Sequence, residues 1–188
     1  MALTKAQIKE FKAAEKEAED SYDYRSVADD IAEAGDKDWA KKLYKKAEEK
    51  AENYSEFNDL AASIHEKLDD KIWCKQHYKK AEEKAEDISD FFELAQNVDD
   101  KEWAKRMYKE VEKKAEDFYD FRNLADSMYD YEILDEKDWA KKIYKKAEEK
   151  AEDCDEYECL AESVRNNLGD KKWAKLLEKK AKEFEDDD

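Results

Sequence analysis

A segment of the chain recurs at a nearly fixed period, and a tryptophan marks each copy. The tryptophans are spaced 34, 30, 36 and 34 residues apart: Trp39, Trp73, Trp103, Trp139 and Trp173. Three of the copies also share the string KKAEEKAE, at residues 45–52, 79–86 and 145–152. A period of this length is typical of stacked helical hairpins, in which each hairpin contacts only its neighbours. The sequence therefore predicts an all-α repeat protein.

Each repeat carries two stretches of helical periodicity. The second stretch, which we call the B helix, begins near the tryptophan and places Trp39, Leu43 and Tyr44 on one face. A shorter A helix precedes it, and its apolar positions recur as Tyr24/Val27/Ala28/Ile31, Phe57/Leu60/Ala61/Ile64, Phe91/Leu94/Ala95/Val98, Phe121/Leu124/Ala125/Met128 and Tyr157/Leu160/Ala161/Val164. Residues that favour helix N-caps stand before the helices, among them Asp36, Asn53, Asp87, Asp117 and Asp153.

These helices predict a single helical-repeat domain over residues 1–188. A capping helix at 1–20 precedes five repeats at 21–53, 54–87, 88–117, 118–153 and 154–188, and a B helix at 171–188 caps the other end. In the third repeat the A-helix leucine and the B-helix alanine are 10 residues apart, against 16 in the fourth. We therefore expect a shorter A helix in the third repeat.

Composition narrows the class of protein further. Charged residues make up 48% of the chain and the mean hydropathy is −1.23, so no apolar run approaches the roughly 18 residues of a membrane span. We expect neither a membrane span nor a secretory leader. The three cysteines, an odd number, do not suggest a disulfide framework and favour the reducing cytoplasm.

The first repeat also resembles a known repeat family. It reads Tyr24-x2-Val27-Ala28-x2-Ile31-x3-Gly35-x4-Ala40-x3-Tyr44-x2-Ala47, which is similar to the 34-residue tetratricopeptide repeat. No repeat has the proline that usually ends the second helix of that family, and the tryptophan before Ala40 is an addition. The resemblance implies a right-handed α-solenoid of about five helix–turn–helix repeats. It also implies that the A helices line a concave groove that binds peptides or partner proteins.

Net charge points to the A helices as the acidic surface. The five predicted A helices carry −14 of the total of −17, whereas the lysine-rich B helices are close to balanced. If the A helices line the groove, that groove attracts basic segments at a rate that falls with salt. We therefore predict a non-enzymatic scaffold or adaptor that binds a basic or amphipathic protein segment. The alternative is that the acidity serves solubility alone.

The family register assigns particular residues to the groove. The candidate binding residues are Arg25, Asp29, Asn58, His65, Phe92, Gln96, Arg122, Asp126, Tyr129, Glu162 and Arg165. Phe92 and Tyr129 stand out as exposed anchors of the kind found in interface hot spots. Three of the four arginines fall on A helices, where arginine can either contact a partner or bridge carboxylates of adjacent A helices.

The sequence gives no sign of catalytic chemistry. Two histidines are too few to assemble a plausible triad, and His77 occupies a leucine position of the B helix, so we expect it to be buried. Cys74 and Cys154 occupy core positions, whereas Cys159 occupies a polar one. We predict no enzyme activity, no cofactor and no metal site. An acidic chain is also a poor binder of nucleic acid, and we expect no membrane partner.

Two other functions remain open at this point. The chain could be an acidic nucleic-acid mimic that inhibits a nucleic-acid-binding protein. It could also be a self-assembling structural array or a designed repeat protein, given the close identity of the KKAEEKAE copies. We favour a monomer, although the sequence does not fix the oligomeric state.

Overall fold

The computed structural model describes residues 3–130 and 137–185, without the side chains of 129, 130 and 185. Over these ranges the chain forms eleven α-helices and no strand. The helices are α1 (Lys5–Glu17), α2 (Ser21–Glu33), α3 (Lys37–Lys50), α4 (Tyr54–Ser63), α5 (Lys71–Lys84), α6 (Ile88–Asn97), α7 (Lys101–Lys114), α8 (Phe118–Asp130), α9 (Lys137–Lys150), α10 (Cys154–Asn167) and α11 (Lys171–Glu185). The prediction of an all-α fold of helical repeats is confirmed.

Backbone contacts group the chain into two compact units. Unit 1 is Met1–Val98 and contains α1 to α6, and unit 2 is Asp99–Asp188 and contains α7 to α11. The most extensive helix packing joins α2 to α3 and α4 to α5 in unit 1, and α8 to α9 and α10 to α11 in unit 2. Each of these pairs is one predicted A–B hairpin. The single-domain assignment stays a prediction.

None of the described helices combines the length and apolar character that a membrane crossing requires.

An aspartate caps four of the B helices and fixes the position of the tryptophan. The carboxylates of Asp36, Asp70, Asp100 and Asp170 accept the backbone N–H of the tryptophan three residues later, at 3.0–3.2 Å. These caps satisfy N–H groups that a helix start leaves unpaired. Four A helices have the predicted caps as well, Asn53, Asp87, Asp117 and Asp153. Asp135 and Glu136, which precede the B helix of the fourth repeat in the sequence, lie outside the described residues.

The apolar faces predicted for the A and B helices form the buried core. Leu43, Leu60 and Leu94 are fully buried, and so are the small residues Ala40 and Ala47, which let paired helices approach closely. Cys74 is buried as expected, but Cys154 and Cys159 are both half-buried, and none of the three is in a disulfide. The A helix of the third repeat, α6, has 10 residues against 14 in α10, so the expected shortening is confirmed.

Two A–B turns use the same left-handed backbone with different residues. Asp69 (φ 54°) follows the π-helical turn Ile64–Leu68 that extends α4, and Gly169 (φ 66°) follows α10. A left-handed conformation costs glycine little, whereas the side chain of an aspartate makes it less favourable.

A recurring group of three side chains joins consecutive B helices. In each copy a glutamate accepts hydrogen bonds from the indole Nε1 of the next B helix's tryptophan and from the Nζ of a lysine seven residues, about two turns, beyond that tryptophan. The four copies, which we call Trp–Glu–Lys clamps, are Glu15 with Trp39 and Lys46, Glu48 with Trp73 and Lys80, Glu112 with Trp139 and Lys146, and Glu148 with Trp173 and Lys180, all at 2.7–3.2 Å. Glu110 stands at the lysine position of the third repeat and bonds Lys113 on its own helix instead.

The clamp lysine also contacts the A helix of its own repeat. Its ammonium lies 5.4–5.5 Å from the ring centroid of the A-helix aromatic: Lys46 over Tyr24, Lys80 over Phe57, Lys146 over Phe121 and Lys180 over Tyr157. Cation–π contacts at such distances are favourable. One glutamate therefore ties together three helices: its own, the next B helix and the A helix packed against it.

We predict that Glu148→Ala lowers the free energy of unfolding by about 1–2 kcal/mol, because the indole N–H of Trp173 loses its partner in a partly buried site and Lys180 loses its ion pair. Glu149→Ala, at the exposed neighbouring position of the same helix, is the matched control. It should change stability by no more than about 0.5 kcal/mol. Urea unfolding followed by circular dichroism measures both, and equal losses in the two variants would contradict a structural role for the clamp.

His77 is the one histidine in the described core. It is completely buried at the position of Leu43, and neither ring nitrogen has a hydrogen-bond partner among the described residues. Its Nε2 lies 3.5 Å from the Oε2 of Glu48, and its ring stacks on Phe57 with centroids 6.2 Å apart. Burial lowers the pKa of His77 to about 4, although the charge of Glu48 opposes the shift. The imidazole is therefore neutral in the folded protein at pH 7.

We predict that His77→Leu stabilises the protein at pH 7 by about 1–3 kcal/mol, because it removes a buried polar group without hydrogen bonds. The native chain should also lose up to about 3 kcal/mol as the pH falls from about 6.5 to 4, because only the unfolded state takes up the proton in that window. The leucine variant should lack this component. Urea titrations at pH 7 and pH 5 test both statements, with the exposed-site change His65→Gln as control.

Candidate functional site

Four polar residues of unit 1 form a network at the surface of its A helices. The hydroxyl of Tyr44 donates to Asp29 Oδ1 at 2.5 Å, and the hydroxyl of Ser63 donates to Asp29 Oδ2 at 3.2 Å. Arg25 donates to Ser63 Oγ at 3.3 Å and lies 3.6 Å from Asp29. A second nitrogen of Arg25 bonds Asp59 on α4 at 3.1 Å. The predicted groove residues Arg25 and Asp29 therefore pair with each other, and Asp29 also accepts from the core tyrosine.

Unit 2 contains the same network at equivalent positions. Tyr144 donates to Asp126 Oδ1 at 2.6 Å and Ser163 donates to Asp126 Oδ2 at 3.3 Å. Arg122 Nε donates to Ser163 Oγ at 3.1 Å and lies 3.4 Å from Asp126. Asn167 adds two further bonds, to Asp126 at 3.0 Å and to the hydroxyl of Tyr144 at 2.7 Å. We call these two copies the Arg–Asp–Tyr–Ser networks.

Burial shapes the electrostatics of these networks. Desolvation raises the pKa of Asp29, and the hydrogen bonds from Tyr44 and Ser63 act against that shift. Desolvation and the neighbouring aspartates raise the pKa of Tyr44 and of Tyr144 far above the ordinary tyrosine value. Both hydroxyls therefore stay protonated and act as donors. In unit 1 Arg25 bridges carboxylates of adjacent A helices, which is the structural role that the sequence left open for it.

A related cluster occupies the second and third repeats. Asn58 donates to Glu93 Oε1 at 2.9 Å and accepts from Asn97 at 3.2 Å, and Tyr54 donates to Glu93 Oε2 at 3.3 Å. Asn58 is only 2% exposed. Its predicted place on a contact surface does not agree with this burial, because its amide is enclosed between α4 and α6.

The remaining predicted residues are not all brought together. His65 and Gln96 are exposed, whereas Phe92 is half-buried and so is not the exposed anchor that we expected. Tyr129 lies in the last turn of α8, and its side chain falls outside the described residues. Glu162 and Arg165 are exposed on α10, where Arg165 bonds Glu178 of α11.

Glu162 and Arg165 belong to a groove within unit 2. It has a volume of about 610 Å³ and lies against α8, α10 and α11. We call it the unit 2 groove, and its lining is Tyr119, Asp155, Glu158, Cys159, Ala161, Glu162, Arg165, Asn166 and Glu178. Asp155, Glu158 and Glu162 are exposed and have no ion-pair or hydrogen-bond partner among the described residues.

The unit 2 groove combines negative charge with an exposed aromatic ring. Tyr119 is 49% exposed, and partial burial followed by the charges of Glu156 and Asp153 raises the pKa of its hydroxyl. Carboxylates at these spacings can pair with ammonium or guanidinium groups, and a tyrosine face can receive either cation.

Cys154, Asp155 and Glu158 place one ligand atom each within 4.8 Å of one another, which is fewer than the four ligands of a closed zinc site.

Several members of these sites carry no functional signal in a single repeat. Tyr44 and Tyr144 fit the apolar face of the B helix, and the sequence patterns assign no site to Ser63, Ser163, Tyr119 and Asp155. An internal duplication could have revealed them. Tyr44 and Tyr144, like Ser63 and Ser163, stand 100 residues apart, and α3 and α9 differ only at Leu43 and Ile143.

We predict that Tyr44→Phe and Tyr144→Phe each cost about 1–2 kcal/mol of stability, because each removes a donor to a partly buried carboxylate. The loss at Tyr144 should be the larger by about 0.5–1 kcal/mol, because its hydroxyl also accepts a hydrogen bond from Asn167 that Tyr44 does not have among the described residues. Tyr24→Phe is the control, because the half-buried hydroxyl of Tyr24 makes no hydrogen bond among the described residues. Chemical denaturation measures all three, and a cost confined to one unit would show that the two networks are not equivalent.

Comparison with known proteins adds no family to this description. No protein-family model, no curated protein and no solved structure matches the chain. The resemblance of the first repeat to the tetratricopeptide pattern stays a prediction.

Proposed function

We propose that the protein is a non-enzymatic interaction module that binds a basic segment of a partner protein in the unit 2 groove. The observation that carries this proposal is the set of three exposed carboxylates, Asp155, Glu158 and Glu162, without partners among the described residues. The acidic A surface of unit 1 is different, because Asp29, Asp59 and Glu33 are paired there with Arg25 or Lys67. Negative charge left unpaired in a concave site favours a cationic ligand.

The size of the groove supports a segment as the ligand. A volume of about 610 Å³ falls in the range of sites that enclose a few side chains. A nucleic-acid mimic would instead present its charges over a broad surface to a whole folded domain. We therefore prefer the module to the inhibitor, and we place it in the cytoplasm only by inference from the three cysteines, none of which is in a disulfide.

We predict that a short lysine- and arginine-rich peptide binds the full chain and that the affinity falls with salt. Raising the ionic strength from about 0.01 M to about 0.15 M shortens the screening length from about 30 Å to about 8 Å. Isothermal titration calorimetry measures the affinity at both values. The triple variant Asp155→Ser, Glu158→Asn, Glu162→Ala should bind roughly tenfold more weakly at low ionic strength, because each lost ion pair contributes up to about 1 kcal/mol.

The three replacements are the residues at the equivalent positions of the second repeat, Ser55, Asn58 and Ala62. A second triple variant, Glu49→Gln, Glu83→Gln, Glu149→Gln, removes three exposed B-helix carboxylates and so changes the net charge equally. It should bind the peptide within about twofold of the native chain. Equal losses in both triple variants would mean that net charge, not the unit 2 groove, attracts the peptide.

A further inference from the structure

Two exposed tyrosines occupy the same position in the two units. Tyr22 on α2 and Tyr119 on α8 each stand three residues before the arginine of an Arg–Asp–Tyr–Ser network. They are 63% and 49% exposed. The other repeats have Ser55, Ser89 and Asp155 at this position, so the tyrosine accompanies the arginine.

In unit 1 the guanidinium of Arg25 already lies over the exposed ring of Tyr22. The Cζ of Arg25 lies 5.3 Å from the ring centroid of Tyr22, and a nitrogen of the same guanidinium bonds Asp59 at 3.1 Å. The cation thus sits between a tyrosine face and a carboxylate. This arrangement suits arginine, because its planar group can stack on a ring and bond a carboxylate at once.

In unit 2 the same arrangement is incomplete. The position of Asp59 is taken by Cys159, which offers no carboxylate to Arg122. Arg122 bonds Ser163 and Asp126 instead, and no cation lies over the ring of Tyr119 within the part of the chain that the structure describes. The ring therefore lines the groove without the guanidinium that its counterpart holds.

The groove supplies carboxylates in place of the missing one. Asp155, Glu158 and Glu162 line it together with Tyr119, where the second repeat has the uncharged residues Ser55, Asn58 and Ala62. Unit 2 thus has both parts of the unit 1 arrangement, a tyrosine face and carboxylates. It lacks a guanidinium over the ring, because Arg122 bonds Ser163 and Asp126, and Arg165, which also lines the groove, bonds Glu178.

We propose that the unit 2 groove receives an arginine side chain of the partner, with its guanidinium against Tyr119 and paired with the groove carboxylates. This inference rests on the proposed function and names the side chain that the module selects. Arg25 in unit 1 is the internal counterpart of that ligand. Lysine fits the site less well, because its ammonium neither stacks as a plane nor bonds a carboxylate through two parallel N–H groups.

The test compares three peptides that differ at one central position, which holds arginine, lysine or the neutral isostere citrulline. Calorimetry at low ionic strength should give the arginine peptide an affinity roughly three- to tenfold above that of the lysine peptide. Citrulline should bind most weakly. Tyr119→Ser should abolish the arginine preference, Tyr119→Phe should retain it, and Tyr22→Ser in unit 1 should leave it unchanged.

Cys159→Asp provides a test in the opposite direction. This change places a carboxylate at the position that Asp59, the partner of Arg25, has in unit 1. The new carboxylate should draw Arg122 towards Tyr119, so that Arg122 occupies the site proposed for the partner's arginine. The arginine preference should then fall although the groove has gained a negative charge. Simple attraction between opposite charges predicts the reverse, so unchanged or increased preference in this variant would overturn the proposal.

The outcomes separate the two proposals. If the arginine and lysine peptides bind equally and with the expected salt dependence, the basic-segment module stands and the arginine site is wrong. An arginine preference that survives Tyr119→Ser also overturns the site. If neither peptide binds at low ionic strength, both proposals fail.

Discussion

In each of the four Trp–Glu–Lys clamps a single glutamate holds one helix in register with the next B helix. It accepts the indole N–H and the lysine ammonium of the next B helix, and that ammonium lies over an aromatic ring of the paired A helix. Because hydrogen bonds depend on direction as well as distance, the clamp adds a constraint on this register to the packing of small and apolar residues. The clamps thus help to fix the offset between neighbouring repeats within each unit. The placement of the A-helix surface follows from that offset.

The two Arg–Asp–Tyr–Ser networks show how the acidic A surface is stabilised. Their aspartates accept hydrogen bonds from a core tyrosine and a serine, so these carboxylates are paired within the protein. Only the carboxylates outside these networks are left to pair with a partner in the proposed function. In unit 2 such carboxylates lie on one face of α10, where Asp155, Glu158 and Glu162 follow at intervals of three and four residues. The proposed binding of a basic segment therefore depends on residues at which the two units differ.

The sequence predicted the fold well because repeat packing is encoded locally. The tryptophan spacing, the A- and B-helix apolar faces and the caps at Asp36, Asn53 and Asp153 follow from patterns within a few turns of helix. The clamps escaped prediction because Glu48 and Trp73 lie 25 residues apart on different helices, and their meeting depends on how those helices rotate. For the same reason Asn58 was assigned to the surface although Glu93 and Asn97 enclose it. A family register locates a helix face but does not show which of its side chains are already paired.

The near identity of α3 and α9 has a consequence for how this chain reaches its folded state. The two helices differ only at Leu43 and Ile143, so each can present the same apolar stripe and the same clamp residues to either A helix. Correct assembly must then be directed by the less similar partners, α2 and α8, and by the short turns that keep each hairpin together. Between molecules those turns give no such protection. Crowded nascent or refolding chains are therefore candidates for exchange of equivalent hairpins, the characteristic misassembly of repeat proteins.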